Sequence, residues 1–242
     1  MSSDVEKKFK RYIGSLEREL TILNSQYRLL IYLSDAKYDR STEFRYAKYF
    51  FHSIINSLFT DVLLVSTKLL ECDRSDRNIP DFLHFVECHL SLFSPEAIRV
   101  RRGFSNISQI PKRDYSVDPH LVQSDRVKLH LLDPIVKNLK KKRDKYYAHY
   151  DKSCFDEPGK LKTTSPVTRS DIETLIRTCF KILERYSLAF DGEGLSITLS
   201  ERFDVVDIFD LIKKHLGSSH RRPNTAANNQ NNDARLHSRS GR

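Results

Sequence analysis

The chain has 242 residues, of which 39% are hydrophobic and 30% charged, so it can form one substantial folded domain or two small ones. Seven glycines, eight prolines and no tryptophan argue against a glycine-rich β sandwich, and the net charge of +9 is compatible with RNA or DNA but proves neither. The four cysteines form no C-x-x-C pair and no regular framework, which fits ordinary buried thiols in a reducing compartment.

The predicted elements begin with two long amphipathic helices. Ser3 and Glu6 have the spacing of a capping box at the start of a helix that we expect to end near Asp35. A second long helix is predicted over residues 42–71. Apolar side chains repeat at helical spacing in both and are expected to face inward: Val5, Phe9, Tyr12, Leu16, Leu20, Leu23, Tyr27 and Leu30, then Phe44, Ala47, Phe51, Ile54, Leu58, Val62, Val65 and Leu69.

Prolines mark the helix starts predicted in the middle of the chain, because proline fits the first turn of a helix. We expect a third helix from Pro80 to about Phe93 and a short helix that begins at Ser94. Residues 103–118 have the composition of a loop. Two further helix starts, or one start and one kink, are predicted at the Asp-Pro pairs 118–119 and 133–134.

Two more helices are predicted in the C-terminal part of the chain. Ser170 and Glu173 have capping-box spacing. The alternation over residues 195–199 indicates a short extended piece, and a last helix is expected from Asp204 to a terminator at Gly217. The inward face of the helix after Ser170 is predicted to contain Ile172, Leu175, Ile176, Cys179, Phe180, Leu183 and Tyr186.

Together these elements predict an all-α fold, a single helical bundle over residues 1–217 with two long N-terminal helices. Residues 218–242 form a basic tail rich in Asn, Ser and Arg, which we expect to be disordered and whose arginines we interpret as a solvated end. The tail accounts for +4 of the net charge and leaves +5 for the bundle. No signal-peptide-like run and no continuous stretch of 18 apolar residues occur, so we expect a soluble cytoplasmic protein without a membrane partner.

An arginine occupies an inward-facing position of the helix that begins near residue 134. Apart from Arg143, the stripe at alternating steps of four and three contains only apolar or aromatic residues, Leu132, Val136, Leu139, Tyr146 and Tyr150. A guanidinium on such a face is costly unless it is paired or faces a polar cleft. His149 follows six residues later, and histidine is the side-chain type whose ordinary pKa lies nearest to neutral pH. The arrangement favours chemistry on a phosphate; the alternative is a structural ion pair at Arg143 and a helix C-cap at His149.

The segment around Arg143 resembles the HEPN superfamily of all-helical nucleotide-binding and RNase domains. It is most similar to the branch of bacterial abortive-infection proteins that block phage growth. The superfamily motif is an arginine, usually followed by a polar residue, with a histidine four to six positions later; within residues 139–151 it is matched by Arg143, Asp144 and His149. A looser similarity covers residues 56–82. The resemblance implies a HEPN-like bundle and a homodimer in which two motifs face each other, and members without catalytic activity share the fold.

The leading functional hypothesis is a metal-independent endoribonuclease, a phage-defence or toxin-like RNase that needs no cofactor. His149 would act as general acid or base, and Arg143 would stabilise charge on the phosphoryl oxygens of RNA. Asp144 would orient a partner side chain and Lys145 would add positive potential. The lysine run, which is otherwise a solvated helix face, would hold the RNA backbone through Lys140, Lys141 and Lys142.

The alternative function is a catalytically silent module in a defence or toxin–antitoxin system. Such a module would bind a nucleotide or a partner protein, for example a cognate antitoxin. His84 and Cys88 have the i, i+4 spacing of a metal pair, but no second ligand cluster stands out, so we predict no metal site. The scattered glycines form no P-loop, nucleophile elbow or dinucleotide-binding motif.

Overall fold

Helices make up all the regular secondary structure of the described residues, which confirms the predicted all-α fold class. The computed structural model describes residues 3–71, 78–111, 117–144, 166–195 and 204–219. Short 3-10 helices cover Leu90–Phe93 and Ile107–Gln109. The α-helices of this part are α1 (Asp4–Asp39), α2 (Ser41–Tyr46), α3 (Lys48–Leu70), α4 (Ile79–Cys88), α5 (Pro95–Arg102), α6 (Pro119–His130), α7 (Asp133–Lys142), α8 (Arg169–Asp191) and α9 (Val205–Ser219).

The first helix begins as predicted and continues further than predicted. The Ser3 hydroxyl accepts a hydrogen bond from the Glu6 backbone at 3.2 Å, and the Glu6 carboxylate accepts one from the Ser3 backbone at 3.0 Å, which confirms the capping box. The helix passes the expected end near Asp35 and stops at Asp39. The added turn buries Ala36 against the end of the bundle, so tertiary packing extends the helix beyond its sequence signal.

The predicted helix over residues 42–71 is wrong as a single element, because α2 and α3 are separated at Ala47. The backbone at Ala47 has φ −118° and ψ 41°, outside the helical region. Phe44 and Phe51 are both buried, on opposite sides of this break, with ring centroids 5.1 Å apart. Their seven-residue spacing would place them on one face of a continuous helix as well, so the apolar pattern could not reveal the break.

Three other boundaries differ from the predictions. The third helix ends at Cys88, and a 3-10 turn covers its expected last residues. The capping box of α8 is formed by Thr168 and Asp171 instead of Ser170 and Glu173. The last helix does not stop at Gly217 but continues to Ser219, and the predicted loop contains the 3-10 turn Ile107–Gln109.

Several predicted starts are confirmed. Ser94 caps α5 and Asp118 caps α6, each through a side-chain hydrogen bond to the first turn of its helix. A separate helix begins at Asp133, so the second Asp-Pro pair is also a helix start. Residues 196–199 of the predicted extended piece and residues 220–242 of the predicted tail lie outside the described residues.

The main core is formed by side chains of α1, α3, α4, α6, α7 and α8. At its centre the Phe9 ring stacks on Phe190 with centroids 4.2 Å apart and meets Phe93 edge-on at 5.6 Å. The inward positions predicted for α8 are buried, except for Phe180, which is partly buried. A second, smaller cluster joins the end of α1 to α2, α3 and α9 through Leu33, Ala36, Phe44, Phe51 and Phe209.

By length and composition alone, α3 could cross a membrane. The sequence prediction had counted only continuous apolar runs, and α3 is interrupted by Asp61 and Lys68. In the structure α3 lies against α1 and α7, and its Val62, Leu63 and Leu69 belong to the main core. A core helix of a soluble protein satisfies the same length and composition criteria, so this property does not assign α3 to a membrane.

Candidate functional site

The predicted site lies at the C-terminal end of α7, which is anchored to the bundle by its apolar face. Leu132 and Leu139 are buried in the main core, and Val136 packs against the core between them. The side-chain amide of Asn138 donates a hydrogen bond at 3.0 Å to the Pro166 carbonyl, at the segment that leads into α8. These contacts place the next stripe position, Arg143, where α7 reaches the end of α3.

Arg143 forms an ion pair with Glu71, the residue directly after α3. The guanidinium Nη1 donates to Glu71 Oε2, and Nη2 lies 3.4 Å from Glu71 Oε1. The side chains of Arg143 and Glu71 are 23% and 13% exposed. The inward-facing arginine therefore has the partner that its position requires, and the structural ion pair considered from the sequence is present.

Asp144 fixes the remaining side of the guanidinium. Arg143 Nε donates to Asp144 Oδ1 at 2.8 Å. The hydrogen bonds of Glu71 and then of Asp144 raise the pKa of Arg143 above its already high ordinary value, against the opposing effect of burial. A guanidinium has five N–H donors, and these contacts use three of them. Among the described residues, one N–H on each Nη atom has no partner.

The three lysines between the stripe residues Leu139 and Arg143 differ in their contacts. Lys140 was expected to point to water, but its ammonium also pairs with Glu71 Oε1, while its side chain stays half exposed. Lys142 lies over the Phe59 ring with Nζ 5.8 Å from the centroid. Lys141 is exposed. Glu71 thus pairs with two cations. Arg143, and to a lesser extent Lys140, holds the pKa of the Glu71 carboxyl below its ordinary value, although burial acts in the opposite direction.

The backbone geometry changes at the site. Arg143 and Asp144 are assigned to a π-helix, while the Arg143 amide itself donates to the carbonyls of Leu139 and Lys140. Single π-helical turns within α-helices are frequent at functional sites. Lys145 and His149, and the stripe residues Tyr146 and Tyr150, lie outside the described residues. The structure thus brings Lys140, Arg143 and Asp144 together but does not place the predicted histidine.

Glu71 is the residue of this site that the sequence did not predict. It was interpreted only as the end of the second helix, and 69 positions separate it from Lys140 and 72 from Arg143. The inward position of Arg143 required an acidic partner, but nothing local identified which one. The packing of α7 against α3 identifies Glu71 as this partner, because Glu71 directly follows the last residue of α3.

No metal site is evident in the described part of the chain. The described residues contain no cluster of three or more His, Cys, Asp or Glu side chains suited to a metal ion. Cys88 Sγ lies 3.8 Å from His84 Nε2, and His84 Nδ1 lies 3.8 Å from Glu87 Oε2. His84 and Cys88 are both exposed on α4.

The chain matches the HEPN_AbiU2 family, described as AbiU2, over residues 6–236. This match covers most of the chain, so the protein belongs to that family of HEPN-type domains, which is associated with abortive-infection proteins of phage defence. No curated protein and no solved structure matches the chain.

Proposed function

We propose that this HEPN-type protein is an endoribonuclease that cuts RNA without a metal ion. The observation that carries the proposal is the state of Arg143, which two carboxylates hold in place while two of its five N–H donors have no hydrogen-bond partner among the described residues. A planar fork of this kind matches the oxygens of a phosphate. Lys137, Lys140, Lys141 and Lys142 precede it on the same helix and add positive charge to α7.

The reaction uses the 2′-hydroxyl of RNA as nucleophile. A base removes its proton, the 2′ oxygen attacks the adjacent phosphorus, and the bond from phosphorus to the 5′ oxygen breaks as that oxygen gains a proton. Arg143 stabilises the charge that builds on the phosphoryl oxygens. His149, at the histidine position of the superfamily motif, serves as general acid or base, since its ordinary pKa of about 6.5 suits proton transfer near neutral pH.

The other motif residues support this reaction. Asp144 orients a partner side chain, and its contact with Arg143 Nε at 2.8 Å supports that role. Lys145 adds positive potential beside the scissile phosphate. Lys141, with its exposed side chain, contacts the RNA backbone electrostatically, whereas Lys140 divides its charge between Glu71 and solvent.

A homodimer completes the site in this proposal. Six residues along an α-helix correspond to a rise of about 9 Å and an offset of about 120°, so one straight helix would aim Arg143 and His149 in different directions. Across a two-fold axis each chain can place Arg143 near the partner motif. The π-helical backbone at residues 143–144 already departs from a straight α-helix, so a local change of direction contributes as well.

The direct test is incubation of the purified protein with total RNA in EDTA. Wild type should cleave, while Arg143→Ala and His149→Ala should lose at least about a hundredfold in rate. Arg169→Ala is the matched control, because Arg169 also pairs with a carboxylate, that of Asp35 at 2.6 Å, but at an exposed position on α8. Cleavage that continues unchanged in both motif variants would contradict the proposal.

The second candidate is a catalytically silent binding module in a defence or toxin–antitoxin system. The Glu71–Arg143 ion pair favours it, because this contact explains the buried arginine without any substrate. Such a module would hold a nucleotide or a cognate antitoxin at the same surface. Expression in cells separates the two: growth arrest that requires Arg143 and His149 supports the enzyme, and harmless expression with intact RNA supports the module.

A further inference from the structure

A run of exposed aromatic side chains lies at the junction of α2 and α3. Tyr46, Tyr49 and Phe50 are 58%, 84% and 52% exposed, within five consecutive residues. Single exposed aromatics are ordinary, but a contiguous group on a folded surface marks an interaction site. We call these three side chains, together with Arg45 and Lys48, the junction patch.

The fold holds these aromatics outward. Phe44, Phe51 and Phe209 fill the inward positions of the second core cluster, with the rings of Phe51 and Phe209 stacked at 4.6 Å. Phe51 is fully buried, and each preceding residue of the helix is rotated by about 100°, so Phe50 lies to the side and Tyr49 points away from the core. Their exposure therefore follows from the packing of Phe51.

Positive charge accompanies the aromatic rings. Lys48 Nζ lies 5.1 Å from the Tyr49 ring centroid. The ring of Tyr46 lies 5.9 Å from that of His215, which brings the second half of α9 beside the junction patch. Among the described residues, no carboxylate pairs with any of four exposed cations in this region: Arg45, Lys48, Lys213 and Lys214.

We propose that the junction patch binds single-stranded RNA, as a second contact surface separate from the Arg143 site. Aromatic faces stack on bases of any sequence, and neighbouring cations bind the phosphates between them. A second copy of this chain is a poorer occupant, because a two-fold contact would bring like charges of Arg45 and Lys48 together. This inference rests on the proposed function, because it takes RNA as the substrate. The junction patch would hold a part of the RNA that lies outside the cleavage site.

The test measures binding of a fluorescent 12-nucleotide RNA with 2′-O-methyl groups, which lacks the nucleophile and is therefore not cut. Tyr49→Ala with Phe50→Ala should weaken binding at least about tenfold, since stacking of a single base has an effect of this size or larger. The exchange Tyr49→Phe with Phe50→Tyr keeps both rings and should leave the affinity within about twofold.

A matched control removes equally exposed apolar side chains elsewhere. Val127→Ala with Leu131→Ala, on and just after α6, should not change RNA affinity, because these side chains are as exposed as the junction patch but are not aromatic. Thermal unfolding of each variant checks that the bundle is intact. An RNA affinity that is unchanged in the Tyr49→Ala, Phe50→Ala protein overturns the inference.

The same variants separate this inference from the proposed function. If Arg143→Ala cuts RNA like wild type, the proposed function fails, yet binding of the 2′-O-methyl RNA still reports on the junction patch. In a cleaving protein, loss of the two rings should raise KM for a long RNA and leave kcat/KM for a dinucleotide unchanged. If the Tyr49→Ala, Phe50→Ala protein binds RNA like wild type but no longer self-associates, the junction patch is a dimer contact and the RNA site is refuted. If that protein binds RNA like wild type but no longer binds anionic vesicles, the junction patch is a membrane contact and the RNA site is likewise refuted.

Discussion

Replacing Glu71 by glutamine should destabilise the bundle and loosen Arg143 without changing the side-chain volume. Glutamine retains one carbonyl acceptor but lacks the negative charge of the carboxylate with which Arg143 and Lys140 form ion pairs. A charge-assisted hydrogen bond contributes about 1.5–3 kcal/mol, and the half-exposed Lys140 adds less than about 1 kcal/mol because solvent screens it. The retained carbonyl recovers part of this, so we expect a loss of about 1–3 kcal/mol in the free energy of unfolding.

The pH dependence provides a second, independent measure of the same contact. The pKa of Glu71 is lowered in the folded protein, mainly by Arg143. A carboxyl with a lowered folded pKa stabilises the protein fully above its unfolded pKa of about 4.3, and the stabilisation is lost as pH falls through the folded value. The stability difference between wild type and Glu71→Gln should therefore be constant from about pH 6 to 8 and shrink below about pH 4.

Urea unfolding at a series of pH values measures this difference. Glu19→Gln is the control, because Glu19 forms a more exposed pair with Lys68 on α3, which should contribute at most about 1 kcal/mol. RNA cleavage by Glu71→Gln should fall by about tenfold or more, since Arg143 loses the contact that positions it. A stability difference that is absent at pH 7, or undiminished near pH 3.5, would refute the reasoning.

Three other outcomes are expected from buried or shared groups. Asp125 is fully buried and accepts hydrogen bonds from Arg185 and from the Tyr186 hydroxyl, the latter at 3.1 Å. Asp125→Ala should therefore lower the free energy of unfolding in urea by about 3–5 kcal/mol, and a loss below about 1 kcal/mol would contradict this. Mixing Arg143→Ala with His149→Ala protein should restore about a quarter of wild-type RNA cleavage if each site uses both chains, whereas no recovery in a verified mixed dimer would exclude sharing. Burial raises the pKa of Cys179 to about 12, so mass mapping should find this thiol unmodified by an aromatic disulfide reagent in the folded protein at pH 8, and modification before unfolding would be inconsistent with its position.

Local signals in the sequence were sufficient where side chains act on their own helix. The Ser3 capping box and the apolar stripe of α1 predicted that helix, and the stripe of α8 predicted its buried face. The cap of α8 was misassigned because two overlapping boxes are possible. Thr168 and Asp171 form the box, while the Glu173 carboxylate accepts a hydrogen bond from the Tyr27 hydroxyl at 3.1 Å. That tertiary contact has no local sequence signal.

Contacts between distant segments limited the prediction of the site. The position of Arg143 on the core-facing stripe correctly indicated a need for a partner, since an unpaired buried guanidinium is costly. The identity of Glu71 depends on the packing of α7 against α3, which brings the ends of two helices together across 72 positions of sequence. The break at Ala47 was hidden for a related reason, because the packing of α2 and α9 around Phe51 sets it.

The lysine run and Arg143 have different weight as evidence for RNA binding. Lys140, Lys141 and Lys142 occupy the last turn of α7, where basic side chains interact favourably with the negative end of the helix dipole in any protein. Their presence therefore has a sufficient structural reason. Arg143 lies on the core-facing stripe, where a leucine would pack without needing Glu71, and pairs of this kind are often no more stable than apolar replacements. Stability alone therefore does not favour an arginine over a leucine at this position, and RNA cleavage that depends on Arg143 would assign it the phosphate-binding role proposed above.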